Sequence, residues 1–195
     1  MDANVSNNKS FWTRLWHLKI LLKVKHFMWR VICDCLPIKD CLLSRRVEVD
    51  SKCPVCNLID ETSLHALVFC LVAALCWKLQ GVRFDSAAIN NTTDWVQEIY
   101  QHSGRSEVNK IFMIAWMIWN NRNDVEWKQK GRGYKDIVTS AIHILNNWEF
   151  AQDRSFDFFI GFISQTEGNM CWKQPQTGTI KINTDAALFK IKQAS

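Results

Sequence analysis

Glycine and proline are scarce in this sequence, with seven and three residues among 195. No glycine occurs before Gly81, so we expect short, stiff connections in the first part of the chain. The balance of 48% apolar and 22% charged residues is typical of a globular protein and excludes collagen-like repeats and wholesale disorder. The length suits one ordinary domain or two small ones.

Long hydrophobic runs are also missing. The longest nearly uncharged run, Leu64–Trp77, has 14 residues and contains His65, whereas a membrane-spanning helix needs about 20. The N-terminal sequence MDANVSNNKS is polar and lacks the apolar stretch of a secretory signal. We therefore expect no membrane association and a location inside the cell, in the nucleus or the cytoplasm.

Basic residues are concentrated in the first quarter of the chain. Residues 1–50 carry nine Lys and Arg against five Asp and Glu, whereas residues 51–195 carry 15 against 14. This excess favours an anionic partner such as RNA or DNA, although a solvated basic face explains it equally well. The candidate nucleic-acid-binding residues are Lys19, Lys23, Lys25, Arg30, Arg45 and Arg46.

The eight cysteines fall into two groups by their spacing. A disulfide framework is not expected, because reducing compartments keep thiols free and no secretory signal is visible. Five cysteines have no ligand-like spacing and are expected to pack as small apolar side chains. These are Cys33, Cys35, Cys41, Cys76 and Cys171.

The remaining cysteines form the pattern C-x2-C-x8-H-x4-C, made of Cys53, Cys56, His65 and Cys70. Three thiolates and one imidazole make a closed tetrahedral set for Zn²⁺ and leave no position for water, which favours a structural over a catalytic ion. The alternative is that all four are ordinary buried side chains. A regular helix would rotate Cys70 about 140° away from His65. The backbone must therefore bend between them, or His65 must precede the helix.

Hydrophobic periodicity predicts a mainly α-helical protein. One helix is expected over residues 60–80, with Asp60 or Thr62 as its cap. Val108–Trp119 is apolar on nearly all sides, which is typical of a buried helix. Residues 153–170 lack a helical period. Most of the ten tryptophans are expected in the core.

The segments around the cysteine motif occur in a specific order. They are Phe11–Trp12, Leu15–Ile20, Lys23–Arg30, Leu36–Pro37, Arg45–Val47, His65–Leu67 and Trp77. Together with the four candidate ligands, they resemble the reverse-transcriptase zinc-binding domain of plant non-LTR (LINE-type) retrotransposons. The resemblance implies such a domain over residues 10–81. Leu71 departs from the family, which often has proline after the last cysteine, so a helix extending through Cys70 is expected to strain chelation.

Two later segments fit the same polyprotein, in which this domain follows the polymerase and precedes a ribonuclease H domain. Ile118–Asn123 resembles the family's usual connector and implies a helical connector over residues 92–150. The C-terminal residues 170–195 resemble the entry and first strand of the ribonuclease H domain, with Thr179–Asp185 as an alternating, strand-like segment.

By this resemblance Asp185 matches the first metal-binding carboxylate of ribonuclease H. The chemistry needs several carboxylates that hold two divalent ions about 4 Å apart, and no acidic residue follows Asp185. We therefore expect no nuclease activity. A polymerase Asp-Asp motif is absent from the sequence, so reverse transcription is not expected either.

The sequence leads to one main hypothesis and two alternatives. The main hypothesis is a non-enzymatic, zinc-binding remnant of a retrotransposon polyprotein, mainly α, with a zinc knuckle between helices and an incomplete C-terminal strand. Its expected partners are RNA or DNA, bound with low specificity, and a reverse-transcriptase polypeptide. One alternative is a fragment of a ribonuclease that acts on RNA–DNA hybrids and whose other carboxylates lie outside this chain. The other is an interaction protein that docks through Val108–Trp119.

Overall fold

The structure is a computed structural model that describes residues 9–85 and 88–165, with side chains from residue 11 to residue 152 in these ranges. Helices dominate it, and we number them along the chain: α1 Lys9–Trp16, α2 Leu22–Ile32, α3 Lys39–Ser44, a π-helical turn His65–Phe69, α4 Leu71–Leu79, α5 Thr92–His102, α6 Arg105–Lys128 and α7 Tyr134–Gln165. In these ranges the β-structure is one isolated antiparallel bridge, between Lys52 and Asp60. The prediction of a mainly α-helical protein is confirmed.

The C-terminal predictions meet the structure only in part. The backbone of α7 continues to Gln165, although residues 153–165 lack a helical period in the sequence. Adding residues to an existing helix costs far less than starting one, so a helix can continue where its apolar period has ended. The strand expected at Thr179–Asp185 lies outside the described residues, as does the rest of the segment 170–195.

The chain divides into two compact units, Met1–Ser155 and Phe156–Ser195. Within the first unit, α6 is the central helix, and it packs against α2, the π-helical turn and α4. Between Val108 and Trp119, α6 has buried side chains on most of its sides, as the sequence predicts. Because other helices of the same chain cover this segment, the docking face required by the interaction-protein alternative is not exposed. The predicted boundaries at 10–81 and 92–150 remain predictions.

Helix α2 shows how the sequence positions the N-terminal helices. Its buried side chains recur at helical spacing and face the core; they are Val24, Phe27, Met28, Val31 and Ile32. Helix α1 packs against α2, and α2 in turn packs against α5 and α6. The outer face of α2 is thus left to solvent. None of the helices in the described part of the chain is long and apolar enough to cross a membrane.

Candidate metal centre

The first two candidate ligands lie in a tight loop formed by residues 51–61. The Cys53 amide donates a hydrogen bond to the Ile59 carbonyl over 2.9 Å, and the Glu61 amide donates to the Ser51 carbonyl over 2.8 Å. The Asn57 amide closes the turn on the Cys53 carbonyl at 2.8 Å. Asn57 has a left-handed φ of 54°, which asparagine tolerates better than most residues. These hydrogen bonds fix the loop that carries Cys53 and Cys56.

An exposed ion pair joins the two arms of this loop. The Lys52 Nζ lies 2.9 Å from Asp60 Oδ1, and the Ser51 hydroxyl donates to the same oxygen over 2.7 Å. The hydrogen bonds from Lys52 and then Ser51 hold the pKa of Asp60 below its usual range. Since both partners of the pair are exposed to water, the pair contributes little to stability and serves mainly to close the loop.

The other two ligands are brought together by a change of helix type. The Cys70 amide donates to the His65 carbonyl over 2.7 Å, the i to i+5 bond of a π-helical turn. This bond stacks positions five apart, whereas an α-helix would rotate them away from each other. The Thr62 hydroxyl accepts a hydrogen bond from the His65 amide at 3.0 Å and caps the turn. Of the two arrangements that the spacing allows, the structure shows the bend between His65 and Cys70.

The prediction of one continuous helix over residues 60–80 was wrong. Cys70 has a ψ of 140°, so the chain becomes extended there before α4 begins at Leu71. Thr62, not Asp60, is the cap. Since no helix runs through Cys70, the strain expected from leucine at position 71 does not arise.

The four side chains of Cys53, Cys56, His65 and Cys70 meet in one cluster. Their ligand atoms all lie within 4.8 Å of one another. The Cys53 and Cys70 sulfurs are 4.0 Å apart, and the Cys56 sulfur is 3.3 Å from His65 Nε2. Tetrahedral zinc, with its usual bond lengths, separates such atoms by about 3.5–3.8 Å. The cluster could therefore hold a metal ion, and its donor set fits zinc.

Burial and hydrogen bonding shift the pKa values of Cys53, His65 and Cys70. The hydrogen bond between the Cys53 thiol and the Cys70 sulfur, followed by burial, raises the pKa of Cys53, and the same bond lowers the pKa of Cys70. Burial also lowers the pKa of His65, which favours the neutral imidazole that binds metals. A metal held by all three sulfurs would displace the thiol protons.

The other described cysteines are not part of the cluster, as their spacing predicts. The one candidate metal group within residues 9–85 and 88–165 contains none of them. Cys76 is buried, and burial raises its pKa to about 12, as expected for an unreactive core thiol. Cys33, Cys35 and Cys41 are partly buried free thiols, and Cys171 lies beyond the described residues.

Sequence reasoning missed a buried ion pair beside the knuckle. The Glu61 side chain is 0% exposed and that of Arg122 is 4% exposed, and Arg122 Nε donates to Glu61 Oε1 over 2.7 Å. A second hydrogen bond joins Arg122 Nη2 to Glu61 Oε2. The Lys39 amide at the start of α3 donates to Oε2 as well, over 2.9 Å. The Glu61 carboxylate thus connects the loop to both α3 and α6.

This ion pair explains part of the connector motif. Arg122 belongs to the segment Ile118–Asn123, which sequence analysis selected only by resemblance. Its guanidinium also lies 5.3 Å from the centre of the Trp119 ring. Glu61 directly precedes Thr62, the cap of the π-helical turn, so the connector helix is fixed next to the ligand-bearing backbone.

The six candidate nucleic-acid-binding cations lie on the surface of the first unit. All are exposed except Lys25, which is half-buried. The Lys25 ammonium donates to the Trp16 carbonyl over 2.8 Å, and burial lowers the pKa of Lys25. The Lys23 ammonium lies 4.4 Å from the centre of the Trp116 ring. Among the described residues, none of the six forms an ion pair with a carboxylate.

Comparison with known proteins identifies the part of the chain that contains the cluster. Residues 2–77 match the model of a family described as zinc-binding in reverse transcriptase, and all four candidate ligands lie in this range. Residues 2–77 are thus similar to a reverse-transcriptase zinc-binding domain. The resemblance noted in the sequence is therefore confirmed.

A relative from Arabidopsis thaliana extends the comparison beyond this domain. It is named "Putative ribonuclease H protein", and its sequence is 23% identical to this one. The similarity covers 93% of this chain but 30% of the relative, so the chain spans less than a third of that protein's length. No solved structure matches the chain.

Proposed function

We propose that the chain binds one structural Zn²⁺ ion and acts as a non-enzymatic, zinc-binding part of a retrotransposon reverse-transcriptase polyprotein. The observation that carries this proposal is the closed donor set of Cys53, Cys56, His65 and Cys70, whose ligand atoms lie within 4.8 Å of one another. Three thiolates and one imidazole fill a tetrahedral coordination sphere. Such an ion has no free position for a reacting water or a substrate.

The arrangement of the ligands supports a stabilising role. Cys53 and Cys56 belong to the loop, whereas His65 begins the π-helical turn and Cys70 directly follows it. When bound, zinc supplies a cross-link between these two short elements. Because such a site is not preformed in the unfolded chain, the free energy of metal binding adds to the free energy of folding.

The metal content of the purified chain tests this proposal. We expect about one zinc per chain in the wild type, and loss of both zinc and helicity in the double variant Cys53→Ser/Cys56→Ser. The matched control is Cys33→Ser/Cys41→Ser, which changes two cysteines outside the cluster and is expected to retain the metal. A folded wild-type protein without zinc would contradict the proposal.

The second part of the proposal is low-specificity binding of RNA or DNA through Lys19, Lys23, Lys25, Arg30, Arg45 and Arg46. It is supported by the lack of carboxylate partners for these cations in the described part of the chain. Phosphate contacts release counterions, so the affinity is expected to fall steeply with salt concentration. The polymerase part of the same polyprotein is the expected protein partner. Both partners correspond to a site of action in the nucleus or the cytoplasm.

A ribonuclease that acts on RNA–DNA hybrids remains the second candidate, because the Arabidopsis thaliana relative carries a ribonuclease H name. The candidate carboxylate, Asp185, lies outside the described residues. Under the non-enzymatic proposal, the chain does not cleave a hybrid in the presence of Mg²⁺. Cleavage by the wild type that disappears in Asp185→Asn would establish the second candidate instead.

A further inference from the structure

The outer face of α2 combines exposed aromatic, apolar and basic side chains. Leu22, Lys23, His26, Trp29 and Arg30 are all exposed. At about 100° per residue, their positions fall within a sector of roughly 120° on one side of the helix. Trp29 is 41% exposed, although a tryptophan normally gains from full burial.

A second tryptophan extends this face beyond α2. Trp16, at the end of α1, is 38% exposed, and its ring meets the His26 ring edge-on at 5.4 Å. The hydrogen bond from Lys25 Nζ to the Trp16 carbonyl fixes the two helices at this point. His26 and Trp29 are three positions apart and therefore neighbours on the helix surface. We refer to Trp16, His26 and Trp29 as the aromatic platform.

The charged side chains that the structure describes on α1 and α2 all have one sign. No Asp or Glu occurs from residue 3 to residue 33, whereas residues 9–33 contain six Lys and Arg. The ion pairs among the described residues involve other parts of the chain, such as Lys52–Asp60 and Lys128–Asp124. This face is therefore complementary to an anionic partner.

We propose that the outer face of α2 binds single-stranded nucleic acid, with Trp29 stacked on a base and with Lys23 and Arg30 next to phosphates. Exposed aromatic rings between cations are how sequence-tolerant proteins bind single strands, since every base has a flat face that can stack. The bases of a duplex are already stacked on each other, so a duplex can use only the cations. This inference rests on the proposed nucleic-acid binding and defines which form of nucleic acid is bound.

Binding of two labelled probes to the full, zinc-loaded chain tests the inference. The probes are a 20-nucleotide oligo(dT) and a 20-base-pair duplex. Fluorescence anisotropy measures the affinity of the chain for each probe at several salt concentrations. We expect Trp29→Ala to weaken oligo(dT) binding about tenfold or more, with an unchanged salt dependence and unchanged duplex binding. The control is Trp127→Ala, which removes a tryptophan that is 76% exposed on α6, and it is expected to bind like the wild type.

Two further variants separate stacking from charge. Trp29→Met keeps an apolar, helix-forming side chain without a flat ring, and it is expected to lose oligo(dT) affinity as Trp29→Ala does; it decides the matter if Trp29→Ala fails to fold. Lys23→Gln/Arg30→Gln should weaken both probes and reduce the slope of log affinity against log salt by about one to two.

The possible failures point to different errors. If Trp29→Ala and Trp29→Met bind oligo(dT) as tightly as Trp127→Ala does, the proposed stacking of Trp29 on a base is wrong. Salt-dependent binding by the cations is not contradicted by that result. If the wild type binds neither probe at low salt, both this inference and the proposed nucleic-acid binding are wrong. Zinc content is measured independently and is unaffected by either result.

Discussion

Around the candidate metal centre, cations lie next to carboxylates. On α1 and α2, in contrast, every charged side chain that the structure describes is a cation. Arg122 pairs with Glu61 in the core, Lys52 pairs with Asp60 across the loop, and Lys39 Nζ lies 3.3 Å from Glu126. On α1 and α2, Arg14, Lys23 and Lys25 contact backbone carbonyls or aromatic rings instead, as Arg14 does with Tyr100.

The difference separates charges that stabilise the fold from charges that are available for binding. The Glu61 carboxylate has lost its hydration and depends on its protein partners, so removing a partner leaves a buried charge unpaired. An exposed cation without a carboxylate keeps its water and loses little when it is replaced. Charge removal should therefore lower stability in the first region and lower affinity for an anionic partner in the second.

The largest effect is expected from breaking the buried pair. Arg122→Met should lower the free energy of unfolding by about 3–5 kcal/mol, because it removes the guanidinium partner of the buried Glu61 carboxylate. Urea denaturation of the zinc-loaded chain measures this change. The control is Lys128→Met, which removes an exposed partner of Asp124 and should cost less than about 1 kcal/mol.

Restoring neutrality sharpens this prediction. The double variant Glu61→Leu/Arg122→Met should be more stable than Arg122→Met alone, because it no longer contains an unpaired buried charge. If Arg122→Met is as stable as Lys128→Met, the pair does not hold the loop against α6, and this half of the comparison is wrong.

The break at Cys70 predicts opposite effects for proline at two exposed positions of α4. Ala74→Pro removes the hydrogen bond of 2.8 Å from the Ala74 amide to the Cys70 carbonyl and should cost about 3 kcal/mol. Leu71→Pro places proline at the first helical position, after a residue with a ψ of 140°, where it should be neutral or stabilise by up to about 1 kcal/mol. Thermal unfolding of both variants measures the difference, and equal destabilisation would show that the helix does run through Cys70.

The smallest effect on stability is expected from replacing exposed cations that have no carboxylate partner. Lys19→Gln/Arg45→Gln should change the free energy of unfolding by less than about 0.5 kcal/mol per site. The same variant should bind nucleic acid more weakly and with a shallower salt dependence. A loss of stability comparable to that of Arg122→Met would contradict the distinction between cations with and without carboxylate partners.

The four candidate ligands could be selected from the sequence because their spacing is a local property. Cys53 and Cys56 share a turn, and the need for a bend before Cys70 follows from the rotation of a regular helix. The form of the bend could not be predicted, since a π-helical turn depends on a single i to i+5 hydrogen bond and its packing against α6. The predicted helix ends at residue 80, close to the end of α4 at Leu79. The agreement at this end gave no sign that the helix is interrupted at Cys70.

Contacts between distant positions were beyond sequence reasoning. Glu61 and Arg122 are far apart in the chain, and no periodicity links a loop residue to one particular turn of a helix. Resemblance selected the segment that contains Arg122, but not its role. Trp95 is buried and Trp29 is exposed, although both lie on amphipathic helices, because the packing of neighbouring helices decides which side of each helix is covered.

X-ray absorption at the zinc edge, on the full chain loaded with one equivalent of zinc, tests the central claim most directly. A closed site made of Cys53, Cys56, His65 and Cys70 predicts three sulfur neighbours at about 2.3 Å and one nitrogen neighbour at about 2.0–2.1 Å. A shell of four sulfurs would mean that another cysteine replaces His65. A shell dominated by oxygen or nitrogen would mean that the metal does not bind at this cluster, and either result would contradict the structural centre described above.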